Sequence, residues 1–167
     1  MTAAPTRASY HPWTTYIAAR EEARQRGDRR VGTEHLVLAL LREPEIEELL
    51  GTTLKRARRE LSSLDRVALE AIGLAPEMQV PLLAERELPP RPTIRAVLDN
   101  RIKMTPAAKS ALQEAGKPMR RGDHISPQQV LGAILENRPP DPGTSLMTTL
   151  GVDLDRVRKT LRDSGLT

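Results

Sequence analysis

The sequence has no cysteine and no phenylalanine, and its aromatic residues are one tryptophan and two tyrosines. Without cysteine there can be no disulfide, no thiolate metal ligand and no cysteine nucleophile, which agrees with a reducing compartment. The histidines, His11, His35 and His124, are widely separated and do not have the spacing of a zinc site. We therefore expect neither a metal ion nor a cofactor.

Long apolar runs are also missing. The longest, around Leu36 to Leu41, is much shorter than the roughly 20 residues that a membrane-spanning helix needs. The segment Met1 to Ser9 has one arginine and no apolar core, which is unlike a secretory signal. The sequence therefore predicts a cytoplasmic protein that does not enter a membrane.

Charge is balanced, with 26 basic and 22 acidic residues and a net charge of +4. Nucleic-acid-binding proteins usually concentrate Lys and Arg on one face. Here the densest basic runs, Arg24 to Arg30 and Lys55 to Arg59, are flanked by glutamates, so a nucleic-acid partner is not expected. The sequence also lacks the Gly-x-x-x-x-Gly-Lys-Ser/Thr loop that holds ATP phosphates. We expect a protein that acts by binding and is not an enzyme.

The residues that are abundant favour helices. Alanine, leucine, arginine and glutamate dominate, and β-branched residues rarely cluster, so we expect an all-α fold. A length of 167 residues suits one compact domain or two small subdomains that share a core.

The sequence contains an internal repeat. Three pairs of segments match in the same order, which indicates a duplication. The pairs are 31–41 with 125–135, at an offset of 94 residues, 26–28 with 121–123, and 64–67 with 154–157, at an offset of 90.

Apolar spacing and turn residues predict four short helices in each copy. In the first copy we expect a helix that ends at Gly27, one that starts at Thr33 and is ended by Pro44, one within 45–61, and one over 64–72. In the second copy, Thr105 and Ser126 each precede a proline and are predicted helix caps. The expected helices there are 106–115, 127–136, 144–150 and 154–163, with a loop at 139–143.

This pattern divides the chain into a first repeat at 10–73, a proline-rich linker at 74–102 and a second repeat at 103–165. The linker has room for one short helix at 94–102. Because four short helices would bury their apolar faces poorly alone, we expect the repeats to pack on each other about a pseudo-twofold axis.

The motif Gly-Thr-Glu-His-Leu in segment 31–41, after Glu-Glu-Ala-Arg at 21–24, resembles the signature of the Clp N-terminal repeat, particularly of the ClpC type. Segments 104–109 and 150–157 are similar to the opening and the last-helix entry of a second repeat. The resemblance covers 14–73 and 103–164. It implies two four-helix repeats that serve as a docking platform for adaptors and substrates of a Clp unfoldase. With no ATPase motif, we expect a stand-alone module.

In ClpC-type domains, the glutamate of this motif in each repeat helps bind the guanidinium of phosphoarginine, a degradation mark in some bacteria. The first glutamate is kept as Glu34, whereas the second position is Gln128, which cannot form a charge-assisted pair. Thr33 belongs to the motif, and Thr105 and Lys109 match positions near the family's peptide groove. These five residues are the predicted ligand-binding set. The alternative for Glu34 is stabilisation by the helix dipole alone.

Three other features each have two interpretations. His35 is either a chemical group or a packed histidine bonded to the backbone. Tyr10, Trp13 and Tyr16 are either core or an exposed platform, and the acidic run 43–48 either attracts a basic partner or is a solvated face.

The motif also departs from the family, since Ser9 to Trp13 lacks the usual Phe-Thr start and Met104 replaces a common phenylalanine. The sequence thus supports two hypotheses. One is a binding module for Clp adaptors, marked substrates or peptides. The other is a regulatory or self-association protein that has lost the family's ligand recognition.

Overall fold

The computed structural model describes residues 12–73, 102–117 and 125–165, and the side chains from residue 14 onward in the first of these ranges. These residues form eight helices and two short strands, which confirms the expected all-α fold. The elements are α1 Pro12–Arg26, β1 Arg30–Val31, α2 Thr33–Leu40, α3 Pro44–Leu50, α4 Leu54–Ala71, β2 Lys103–Met104, α5 Pro106–Gly116, α6 Pro127–Leu135, α7 Pro142–Thr149 and α8 Leu154–Asp163.

The predicted caps are confirmed. The Thr105 hydroxyl accepts a hydrogen bond from the Ala108 N–H at 3.2 Å, and the Ser126 hydroxyl accepts one from Gln129 N–H at 3.2 Å. The Gln129 side chain returns the bond by accepting from the Ser126 N–H at 2.8 Å. Each cap satisfies backbone donors that a helix start leaves unpaired.

Three predicted boundaries are wrong. Helix α2 ends at Leu40, and Pro44 instead begins α3, because a proline at the first helical position gives up no hydrogen bond. Helix α4 runs unbroken through 61–64, where the sequence predicted a break, since no residue there disrupts the helix. The predicted loop 139–143 is partly helical, because Asp141 caps a helix that Pro142 begins.

The predicted match of segment 64–67 with segment 154–157 is also wrong. Helices α4 and α8 begin in the same way, which aligns Leu54 with Leu154 at an offset of 100 residues. Each is preceded by a glycine of positive φ, Gly51 at 62° and Gly151 at 77°. Residues 64–71 therefore extend α4 beyond the length of its counterpart α8.

The two copies share one core. The duplicated helices α2 and α6 are the most buried, and residues such as Leu36, Leu38, Leu131 and Ile134 have no exposed side-chain surface. Helix α2 packs against α1 of its own copy and against α5, α6 and α7 of the other. The buried apolar surface therefore extends from one copy into the other without a break.

A buried ion-pair cluster, which the sequence did not predict, joins α1 to the rest of the first copy. Glu22 is 2% exposed. Its carboxylate accepts two hydrogen bonds from Arg58 of α4, at 2.9 and 2.7 Å, and one from Arg42, which follows α2, at 2.8 Å. Arg58 is itself 6% exposed, so the forked Glu22–Arg58 pair is shielded from water.

Several predictions fall outside the described residues. These are the proline-rich linker, the short helix at 94–102 apart from Ile102, and the features that rest on Tyr10, His11, the Trp13 side chain and His124. Ile102 itself lies before β2 and is not helical. Tyr16 is half-buried, and the Arg20 guanidinium lies 5.7 Å from its ring centroid.

Candidate functional site

The strands bring the opening of the second copy to the start of α2 in the first. They form a parallel ladder in which Arg30 pairs with Lys103 and Val31 with Met104. The Thr105 N–H then donates to the Val31 carbonyl at 2.8 Å. Thr105 is consequently held beside the Gly-Thr-Glu-His motif, although the two are far apart in the sequence.

An open cleft of about 410 Å³ lies at this junction, and we call it the Glu34 cleft. Leu61 and Thr105 form part of its wall. The rest is mainly charged, with as many cations as carboxylates. These side chains are Arg26, Arg29 and Arg30 on one hand and Asp28, Glu34 and Asp65 on the other.

Glu34 is the second residue of α2 and lines the cleft. Its side chain is 19% exposed, and Oε1 lies 3.1 Å from His35 Nδ1. Oε2 is buried and has no hydrogen-bond partner among the described residues. The carboxylate folds back over Gly32 so closely that a Cβ at that position would overlap it. Glycine at 32 therefore allows this placement of the acid.

His35 is 1% exposed and caps its own helix. Its Nδ1 accepts from the Gly32 N–H at 3.0 Å, and its Nε2 lies 2.9 Å from Asp28 Oδ2. Of the two interpretations of His35, packing with a bond to the backbone is confirmed. Burial lowers the pKa of His35, but the Asp28 and Glu34 carboxylates outweigh burial, and the pKa lies above its usual value.

Asp28 links His35 to the far wall of the cleft. Arg26 donates from Nε to Asp28 at 3.1 Å and from Nη2 to Asp65 of α4. The hydrogen bond from His35 and the nearby Arg26 guanidinium hold the pKa of Asp28 below its usual value, against the opposing effect of burial. A chain of charged contacts therefore runs from α4 to the start of α2.

Thr33 joins the copies behind the cleft. Its side chain is 1% exposed; the hydroxyl donates to Asp141 Oδ1 at 2.9 Å and accepts from the Gly143 N–H at 3.0 Å. A Cβ on Gly143 would lie 3.0 Å from backbone atoms of Thr33. Thr33 thus fixes the start of α2 against the start of α7.

The other predicted residues lie on the second copy. Lys109 is exposed on the first turn of α5, one turn beyond Thr105. Gln128 is half-buried at the second position of α6, which is the place that Glu34 has in α2. The structure therefore brings Glu34, Thr33 and Thr105 together and leaves Gln128 at an equivalent helix start. The counterparts of Arg26 and Asp28 near Gln128 would come from 121–123, outside the described residues.

The sequence prediction missed the cations of the cleft. Arg29 and Arg30 are exposed and have no ion-pair partner among the described residues. For Arg26 and Asp28 the sequence did contain a signal, because Arg26-Gly27-Asp28 is repeated at 121–123 next to the duplicated motif, whereas Arg29 and Arg30 lie outside this repeat.

A family model of the Clp repeat N-terminal domain matches residues 11–139, which is well over half of the chain. The chain belongs to this family. Clp N-terminal domains are protein-interaction modules associated with Clp proteins. The match ends before α7 and α8, and these helices repeat the order of α3 and α4. Like α3, α7 begins with a proline, and like α4, α8 has a side-chain cap. A search of curated proteins finds no match to the chain.

Within residues 12–73, 102–117 and 125–165, no helix combines the length and apolar character needed to cross a bilayer. The His, Asp and Glu side chains of these residues do not gather into a group of three or more that could hold a metal ion.

Stability should depend on pH through the pair His35 and Asp28. Since folded His35 has a raised pKa, its contribution is complete below the ordinary histidine value of about 6.5 and is lost as pH rises through the raised pKa. Asp28 contributes above about 3.9, and this contribution is lost as pH falls through its lowered pKa. Urea unfolding should therefore show greatest stability between about pH 4 and 6.5.

The control for this prediction is His35→Gln, because Gln129 makes the equivalent cap in the second copy. This variant should show a smaller loss of stability on the alkaline side. An equal loss in both proteins would assign the pH dependence to another group.

Proposed function

We propose that this Clp N-terminal domain is a non-catalytic binding module of a bacterial cytoplasmic Clp system. It recognises marked substrates, adaptors or peptides, and the Glu34 cleft takes an arginine-phosphorylated side chain. Thr33, Thr105 and Lys109 support or border this site, and Gln128 is a weakened counterpart.

The observation that carries the proposal is a carboxylate oxygen of Glu34 that has no partner among the described residues, in a cleft with two arginines that have no ion-pair partner there either. A buried acceptor without a partner costs roughly 1–3 kcal/mol. A turn of the Glu34 carboxylate towards the cleft, where it accepts from a ligand guanidinium, would therefore remove a penalty present in the unbound protein.

The Glu34 cleft also has side chains that can bind a phosphoryl group. Arg29 and Arg30 line it without ion-pair partners among the described residues, and guanidinium groups bind phosphate through paired hydrogen bonds. A phosphoguanidinium carries both required charges in one side chain. An unmodified arginine offers only the cation, and a phosphoserine only the anion.

Calorimetry with free phosphoarginine and a phosphoarginine peptide tests the proposal. Glu34→Gln keeps the size of the side chain but removes its charge, and should weaken binding about tenfold to a hundredfold because a charge-assisted bond is lost. Glu45→Gln is a matched control, since Glu45 has the same second position in α3 but lies outside the Glu34 cleft. Equal binding by both variants would show that Glu34 does not hold the ligand.

The second hypothesis, a regulatory or self-association protein that has lost ligand recognition, is motivated by Gln128. Replacing it with glutamate separates the two. Gained affinity for phosphoarginine in Gln128→Glu would mean that the second site is weakened but intact. No binding by the wild-type protein and no gain in Gln128→Glu would favour self-association, which sedimentation would then measure.

A further inference from the structure

The Nδ1 atom of His35 has two neighbours with opposite requirements. The Gly32 N–H is a donor at 3.0 Å, whereas Oε1 of Glu34 is an acceptor at 3.1 Å. An imidazole nitrogen accepts when it has no proton and donates when it has one. Nδ1 can therefore satisfy Gly32 or Glu34, but not both.

In the neutral ring, the contacts assign the tautomer. Nε2 carries the proton and donates to Asp28, and Nδ1 accepts from Gly32. Glu34 then receives no bond from the ring, and its other oxygen has no partner among the described residues. In this state the carboxylate has no hydrogen bond to a described residue that ligand binding would have to break.

In the charged ring, both nitrogens donate. Nδ1–H then bonds to Glu34 Oε1, and the Gly32 N–H loses its acceptor. The imidazolium also lies next to the position where a guanidinium ligand would bind, so the two cations repel each other.

We propose that His35 exchanges partners at Nδ1 on protonation and so regulates Glu34. The cleft accepts a guanidinium-bearing ligand when His35 is neutral and binds it weakly when His35 is charged. The ligand in this statement rests on the proposed function, whereas the exchange from Gly32 to Glu34 does not.

The charged groups around His35 come from several of the elements that pack against α2. Asp28, from the loop after α1, faces Nε2, and Arg26 of α1 acts through Asp28. Asp65 of α4 is paired with Arg26. From α7, Asp141 is held by Thr33. On β2 and α5, Lys103 and Lys109 are exposed at the surface. The direct neighbours of the ring are thus carboxylates, which favour its charged form and raise its pKa.

The second copy shows the same cap without the exchange. Gln129 is equivalent to His35, and its side chain accepts from the Ser126 N–H at 2.8 Å. An amide oxygen does not gain a proton near neutral pH, so this cap is permanent. His35→Gln should therefore preserve the start of α2 and remove the response to pH.

The exchange is measured first, without ligand, on the full chain by NMR. The amide proton of Gly32 should shift with a midpoint equal to that of the His35 ring. In Asp28→Asn, the midpoint of both should move to lower pH, because a neighbouring carboxylate is removed. A Gly32 amide that does not shift while the ring titrates would overturn the proposal.

Binding is measured next, as the Kd of free phosphoarginine for the wild-type protein and for His35→Gln from about pH 5.5 to about pH 8.5. The ligand titrates identically in both series, so its effect cancels in the ratio of the two constants. We expect this ratio to rise about fivefold to tenfold on acidification, a typical coupling between two sites.

The binding experiment separates failure of the regulation from failure of the proposed ligand. A constant ratio would overturn regulation by His35. No binding by either protein at any pH would overturn the proposed ligand, and the Gly32 amide would then decide the exchange alone.

Discussion

Replacing Glu22 with glutamine should lower the free energy of unfolding by about 3–5 kcal/mol, because it leaves buried arginine charge without compensation. Arg58 is 6% exposed and forms both of its forked bonds with Glu22. Arg42 loses its only described ion pair as well. Urea unfolding near pH 7, followed by circular dichroism, measures the loss.

Glu21→Gln is the control, since Glu21 is the neighbouring residue of α1 and its contact with Arg24 is longer, at 3.6 Å. A partly solvated pair of this kind is worth up to about 1 kcal/mol. A further variant, Glu22→Leu with Arg58→Met, should recover much of the stability lost in Glu22→Gln, because an apolar pair removes the uncompensated charge. Equal effects of Glu21→Gln and Glu22→Gln would contradict the argument.

Asp141→Ala should cost about 3 kcal/mol, which combines a lost helix cap with the lost bonds to Thr33 of the other copy and Asn137 of its own. The carboxylate accepts from the Thr33 hydroxyl at 2.9 Å, from Asn137 at 3.1 Å and from the Thr144 N–H at 3.0 Å. It is 3% exposed, so water cannot replace these bonds. Thermal or urea unfolding gives the value.

The matched control is Asp153→Ala. Asp153 caps α8 in the same way, accepting from the Arg156 N–H at 3.0 Å, but it is exposed and has no bond to the described residues of the other copy. Its loss should cost about 1 kcal/mol. The difference between the two variants measures what Asp141 contributes beyond its helix cap, through Thr33 of the other copy and Asn137 of its own. If the two variants are equally destabilised, these two contacts contribute nothing.

Local features of the fold could be predicted from the sequence, because caps and glycine stops act over a few residues. Thr105, Ser126 and Gly27 mark helix ends in the structure as they do in the sequence. The match of segment 64–67 with 154–157 is misleading, because its four residues recur inside α4, whereas a glycine stop followed by a cap marks the start of each helix. That pattern places Leu54, not Leu64, opposite Leu154.

Long-range contacts between charged residues could not be predicted. Glu22 resembles a surface residue of an amphipathic helix, and its partners Arg42 and Arg58 lie 20 and 36 residues away. The same is true of the Glu34 cleft. The motif indicated Glu34, but the neighbouring cations and the path from Asp65 through Arg26 to Asp28 depend on how α4 crosses α1.

The parallel ladder between β1 and β2 makes the Glu34 cleft a composite of both halves of the duplication. The acid comes from the first half, and Thr105 is supplied by the opening of the second. If the cleft binds as proposed, neither half is a receptor in its own right, and a single unit would need a second molecule to complete the wall. A substitution at the beginning of the second half would then alter recognition by the acid of the first.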